Sequence, residues 1–170
     1  MRQNVIHASA AVAALALGVM LATQASAAPA ASGTSAGTMV LYSETRSLTR
    51  VDNNTPGTTD GDTVYRELAL SKTLGGPVIG VGYSQSEVTE FNIEAKIDTR
   101  RVEIEDVLPG GKIFSLGTTR LVIGVIPPPG WHDTYAIVGG TGKYAGARGT
   151  LRMTELQDGK TFKVLFTFLK

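Results

Sequence analysis

The chain contains no cysteine. That excludes a disulfide scaffold, a zinc ribbon, an iron–sulfur site and a cysteine nucleophile. Histidine occurs twice, at His7 and His132, so a histidine cluster for a metal is excluded. Aromatic residues make up only 6%, with one tryptophan, and charged residues 18%. The formal net charge of +1 offers no basic surface on which DNA or RNA would dock, and no nucleic-acid partner is expected. Against these shortages stand 42% hydrophobic residues and 20 glycines in 170 residues, enough for one domain with a packed core.

Only the N-terminus carries a long apolar run. Arg2 precedes an apolar stretch over residues 8–21, and Ala25-Ser26-Ala27 is a small-residue cleavage site. Residues 1–27 therefore read as a secretory signal. The run is shorter than the roughly 20 residues a membrane span requires. The expected product is secreted (periplasmic if the host has an outer membrane), with no membrane association after cleavage. Residues 28–37, rich in Ala, Ser, Gly and Thr, read as a flexible tail, and residues 38–170 as the folded domain.

That domain reads as strands. In residues 39–48, Met39, Leu41 and Ser43 share one face while Val40, Tyr42, Glu44 and Arg46 share the other. A polar loop over residues 52–62 leads to a second strand carrying Val64, Leu68 and Leu70 on one side. Residues 78–88 place Ile79, Val81, Tyr83, Gln85 and Glu87 opposite Gly80, Gly82, Ser84 and Ser86. Such small residues permit a sharp bend or a close approach. Further strands are expected near residues 97–107, 112–116, 120–126, 134–138, 150–156 and 161–169. Turns are expected at Pro109-Gly110-Gly111 and at Asp158-Gly159. In the last strand Phe162, Val164, Phe166 and Phe168 form a core stripe. About eight strands, short turns and no helix suit an all-β fold, and an eight-stranded antiparallel β-barrel is favoured because closure removes exposed edges.

Residues 133–149 carry the most information. Gly140-x-Gly142-x-x-Ala145 has the outline of a dinucleotide fingerprint, but Gly146 and Gly149 lead into an alternating strand where a helix is required. Gly142-Lys143 has the outline of a phosphate loop, but Tyr144 stands where Ser or Thr should hold a metal. The local reading is a strand, a glycine corner needing positive φ, and a return strand. Gly82-Tyr83-Ser84-Gln85-Ser86 misses the nucleophile-elbow pattern at its last position. Asp60-Gly61-Asp62 lacks the EF-hand series and reads as a turn, and Asn53-Asn54-Thr55 is a glycosylation sequon.

The run Gly139-Gly140-Thr141-Gly142, then Tyr144, then Ala147-Arg148-Gly149 resembles the allene oxide cyclase and dirigent superfamily. Val40-Leu41-Tyr42-Ser43-Glu44 is similar to the first dirigent strand, which ends in an acidic residue. The resemblance implies an eight-stranded antiparallel barrel, a homotrimer, and no cofactor or metal. It also implies a hydrophobic small molecule held inside the barrel, where its cyclisation or stereoselective coupling is guided. Catalytic roles pass to Glu44 and Arg148, as an acid and a cation on converging strands that manage proton transfer and developing charge. Tyr42, Tyr65, Tyr83 and Tyr144 are the expected ligand contacts. Trp131, just before the sixth strand, is expected either to pack or to lid the barrel. The alternative is a secreted barrel that binds a small ligand without catalysis.

Overall fold

In a computed structural model, the structure describes residues 37–170 except 124, 126, 157 and 158. The expected signal and all but the last residue of the expected tail lie outside the described residues, as does part of the Asp158-Gly159 turn. Eight strands follow in chain order: β1 (Gly37–Val51), β2 (Thr63–Ser71), β3 (Val78–Asn92), β4 (Ile97–Leu108), β5 (Gly111–Val122), β6 (His132–Gly140), β7 (Gly149–Glu155) and β8 (Thr161–Phe168). Each pairs antiparallel with the next, and β1 pairs with β8 to close an up-and-down barrel. The chain is the expected all-β, eight-stranded antiparallel barrel, with a single 3-10 turn at Gly142–Tyr144 among the described residues.

Residues 112–116 and 120–126, expected as two strands, form largely one, β5. Gly117 does not break it. A Cβ there would stand 2.9 Å from Cδ1 of Tyr135, so the glycine makes room for a ring on β6.

The two ends of the barrel differ. At one end β1 begins and β8 finishes, and there Leu41, Leu70, Leu108, Ile113, Ile137, Leu151 and Phe166 form an apolar core. The turn after β6 folds over this end. Lys143 N donates to Gly110 O at 2.8 Å, Ala147 N donates to Tyr144 O at 3.0 Å, and Tyr144 and Ala147 join the core. The Phe stripe of β8 points inward as expected, with Phe166 fully buried and stacked on Phe168.

On β3 the expected faces are assigned by packing. Gly82, Ser86 and Val88 are buried, whereas Tyr83 is exposed. A Cβ on Gly80 would lie 2.4 Å from Val107 O, and one on Gly82 2.9 Å from Asp106 Oδ1. Gly80, Gly82, Ser84 and Ser86 therefore share the inner face with Val88, Tyr83 faces outward, and Ile79 at the strand's start packs against the core.

Candidate functional site

Strand parity decides what enters the barrel. On β4 the inward positions include Asp98, Arg100, Val102, Ile104, Asp106 and Leu108, so three charged side chains share the core face. On β2 Arg66 alternates inward with Val64 and Leu68. Asp133 accompanies Tyr135 and Ile137 on β6, and Glu155 accompanies Leu151 and Met153 on β7.

Most of these charges gather at the second end, around a cavity of about 130 Å³. Leu68, Val102, Ile104, Leu121, Met153 and Phe162 supply its apolar wall. Pro127 and Trp131 lie over it. The connector that carries them is fastened to β7: Gly130 N donates to Glu155 O, and Glu155 N to Trp131 O, both at 2.8 Å. Pro127-Pro128-Pro129 stiffens this span, because proline fixes φ and gives up a donor. Trp131 thus lines the cavity.

The polar groups at this end are organised in pairs. Arg100 forms a two-pronged ion pair with Asp98, Nε to Oδ1 at 3.1 Å and Nη2 to Oδ2 at 2.5 Å. Thr119 Oγ1 donates to Asp133 Oδ2, and Tyr135 OH lies 3.5 Å from the same oxygen. Burial, then the charge of Asp133, push the Tyr135 hydroxyl above its ordinary pKa, so it stays protonated. Glu155 is 1% exposed, and its Oε1 accepts the Gly159 N–H at 2.8 Å. Burial, then the like charge of Arg100, lower the pKa of Arg66.

The residues expected from the resemblance lie elsewhere. Glu44 is exposed, because Leu41 and Ser43 take the inward positions of β1. Arg148 is exposed too, its Nη1 donating to Ala147 O at 2.9 Å. Glu44 pairs with Thr161 at the start of β8, and Arg148 O accepts the N–H of Leu169 beyond its end. Eight residues of extended chain put these levels roughly 25 Å apart. The two do not converge. Tyr42 is half-buried on the outward parity of β1, and Tyr144 is packed in the core of the closed end, with Lys143 over its ring. Tyr65 and Tyr83 do come together, but outside, in a groove of about 580 Å³ with Phe114, Leu116, Val138, Glu67, Glu103 and Glu105.

Other chemistries are settled locally. A three-residue 3-10 turn stands where a dinucleotide fingerprint needs a helix. The Asp62 carboxylate accepts the N–H groups of Thr59 at 2.8 Å and Asn53 at 3.1 Å, which lower its pKa and tie the 52–62 loop together. Among the described residues no three His, Asp or Glu side chains come together as a metal site.

No family profile and no curated protein matches the chain. Solved structures do. A pyocyanin demethylase is 24% identical, with TM-score 0.63 over 78% of this chain and 100% of its own. A nonspecific heme-binding cyclase that catalyses a cycloaddition during neoabyssomicin biosynthesis is 16% identical, with TM-score 0.57 over 79% of this chain and 66% of its own. The pterocarpan synthase dirigent protein GePTS1 is 17% identical, with TM-score 0.58 over 86% of this chain and 96% of its own. Joined to the closed eight-strand topology, these likenesses show that the chain shares its β-barrel fold with these proteins.

Proposed function

We propose that the protein binds a small, largely apolar, conjugated molecule in the open end of the barrel and guides its ring closure or coupling without a cofactor. One observation carries this reading: hydrogen-bonding and charged side chains are held on rigid strands around an apolar cavity. A cavity of this kind holds one conformer of a reactive molecule and keeps water away. Tyr135 and Arg66 are the donors for negative charge that develops on an oxygen, and Asp133, behind Tyr135 and Thr119, accepts a proton relayed through the Tyr135 hydroxyl. Fixed donors need no reorganisation as the charge appears. The compounds in the neighbours' names, pyocyanin, a pterocarpan and neoabyssomicin, are all polycyclic, which supports a multi-ring, largely apolar ligand.

The single tryptophan makes occupancy measurable. Pyocyanin or a pterocarpan titrated into the protein is expected to quench Trp131 fluorescence. Ser86→Leu is expected to weaken that binding at least about tenfold without loss of thermal stability. Ser86 lines the cavity and its Oγ finds no protein partner, so leucine fills space and removes an unpaired hydroxyl. Quenching that survives Ser86→Leu would place the ligand elsewhere. For the reaction, an ortho-quinone methide generated in the presence of the protein should close to product with an enantiomeric excess, and Tyr135→Phe should reduce it. Binding with a racemic product would favour the non-catalytic barrel. A Soret band that persists through purification would overturn the cofactor-free part.

The same proposal includes export and assembly. Mass spectrometry of the secreted chain should show cleavage after Ala27. Native mass spectrometry should show a trimer, for which the exposed groove at Tyr65 and Tyr83, with Phe114, Leu116 and Val138, supplies a surface.

A further inference from the structure

We infer that the ligand of the open end is an organic anion whose charged oxygen sits on the guanidinium of Arg66; this rests on the pocket reading above. The inference follows from which charges are already answered. Asp98 is held by Arg100, Asp133 by Thr119 and Tyr135, and Glu155 accepts the Gly159 N–H. Arg66 makes no side-chain hydrogen bond and no ion pair with any described residue, although it lines the cavity.

Its surroundings make the lack costly. Burial strips water from it, Arg100 and Arg50 add like charge, and only Tyr135 acts in its favour. No carboxylate is among the groups that perturb it. A guanidinium with five donors in a fixed fork, desolvated and next to like charge, calls for an acceptor with two oxygens or one concentrated charge. Ser84, its register partner on β3, has a small side chain that leaves the stem room to lie along the wall. An incoming carboxylate, enolate or phenolate would complete the pairing, while the apolar wall takes the rest of the molecule. An uncharged ligand of the same shape would leave Arg66 as it is. The cavity therefore selects for charge as well as shape.

The test compares 2-naphthoate with 2-naphthamide, which match in shape and differ in charge. Both are followed by Trp131 fluorescence and by calorimetry, on the wild type, Arg66→Met and Ser86→Leu. The wild type is expected to bind naphthoate at least about tenfold more tightly than naphthamide. Arg66→Met is expected to erase the preference while keeping naphthamide binding, with a melting temperature equal to or above the wild type because an unpaired buried charge is removed. Equal affinities in the wild type, with both ligands excluded by Ser86→Leu, would overturn the anion inference and leave the pocket reading standing. A preference that persists in Arg66→Met would also overturn it. Failure of both ligands to bind, or binding untouched by Ser86→Leu, would overturn the pocket reading and the inference together.

Discussion

Between about pH 4 and pH 7 the protein is expected to lose on the order of 4 kcal/mol of stability through Asp106, and Asp106→Asn is expected to abolish that loss. Asp106 points into the barrel between Gly82 and Ile113, at 2% exposure, and its Oδ2 finds no protein partner. Burial, and secondarily the charge of neighbouring Glu105, raise its pKa to about 7. Below the unfolded value, near 4, both states are protonated and the contribution is fully present. From there upward the unfolded chain ionises while the native carboxyl keeps its proton, so stability falls. Above about pH 7 both states are ionised and the fall ends. Asp62 acts with the opposite sign: its pKa is lowered, so its contribution is present above about pH 4 and is lost as pH falls below. The two windows do not overlap. Melting temperature against pH checks this. A wild-type curve flat from pH 4 to 7, or an Asn variant with the same slope as the wild type, would refute it. At pH 8 the variant should be the more stable protein by about 1–3 kcal/mol, the avoided buried charge outweighing an amide with unmet hydrogen bonds.

Gly149→Ala is expected to destabilise the barrel by at least about 3 kcal/mol, against about 1 kcal/mol for Gly146→Ala. Both glycines hold positive φ, +145° and +76°. At Gly146 no atom lies within 4 Å of a built Cβ, so only the backbone conformation is penalised. At Gly149 that carbon would fall 1.9 Å from Thr167 O, which belongs to the β8 backbone and has no side-chain freedom to yield. Gly149 pairs with Ile137 on one side and Phe168 on the other, so it joins β6, β7 and β8 at the closed end. Denaturant midpoints separate the two outcomes. Equal losses would mean that φ alone matters and that the sheet can open to admit a methyl group. The glycine-rich run is thus a seam of the barrel, and its likeness to a nucleotide loop is a by-product of tight turning.

Period-2 alternation made the strands legible, and the Asp133–Gly149 run, through its resemblance to known barrels, made closure into eight strands legible. What alternation alone left open was which face is inside. On β8 four large apolar residues settled it. On β3 the inner face is mostly glycine and serine, because Gly82 lies against Asp106 and Ser84 pairs with Arg66, both of which point into the barrel. The candidate cavity was not legible for a related reason. Arg66 shares its parity with Val64 and Leu68, as Asp98, Arg100 and Asp106 share theirs with Val102 and Ile104, and Glu155 with Leu151 and Met153. Charges in phase with a core stripe were the available signal. The motif pointed instead to Glu44 and Arg148, which conserve a sequence outline but stand on the outside of two different ends. The expected gap between residues 116 and 120 is bridged because Gly117 accommodates Tyr135 within a continuous β5.

The lopsided packing of the cylinder has a kinetic corollary. With Tyr144 and Ala147 corking the far side, the ring closure proposed above would release its product through the doorway by which the precursor arrived. Precursor and finished molecule then exclude one another, so accumulating product should inhibit competitively, and turnover should be paced by how fast the vestibule under Trp131 empties.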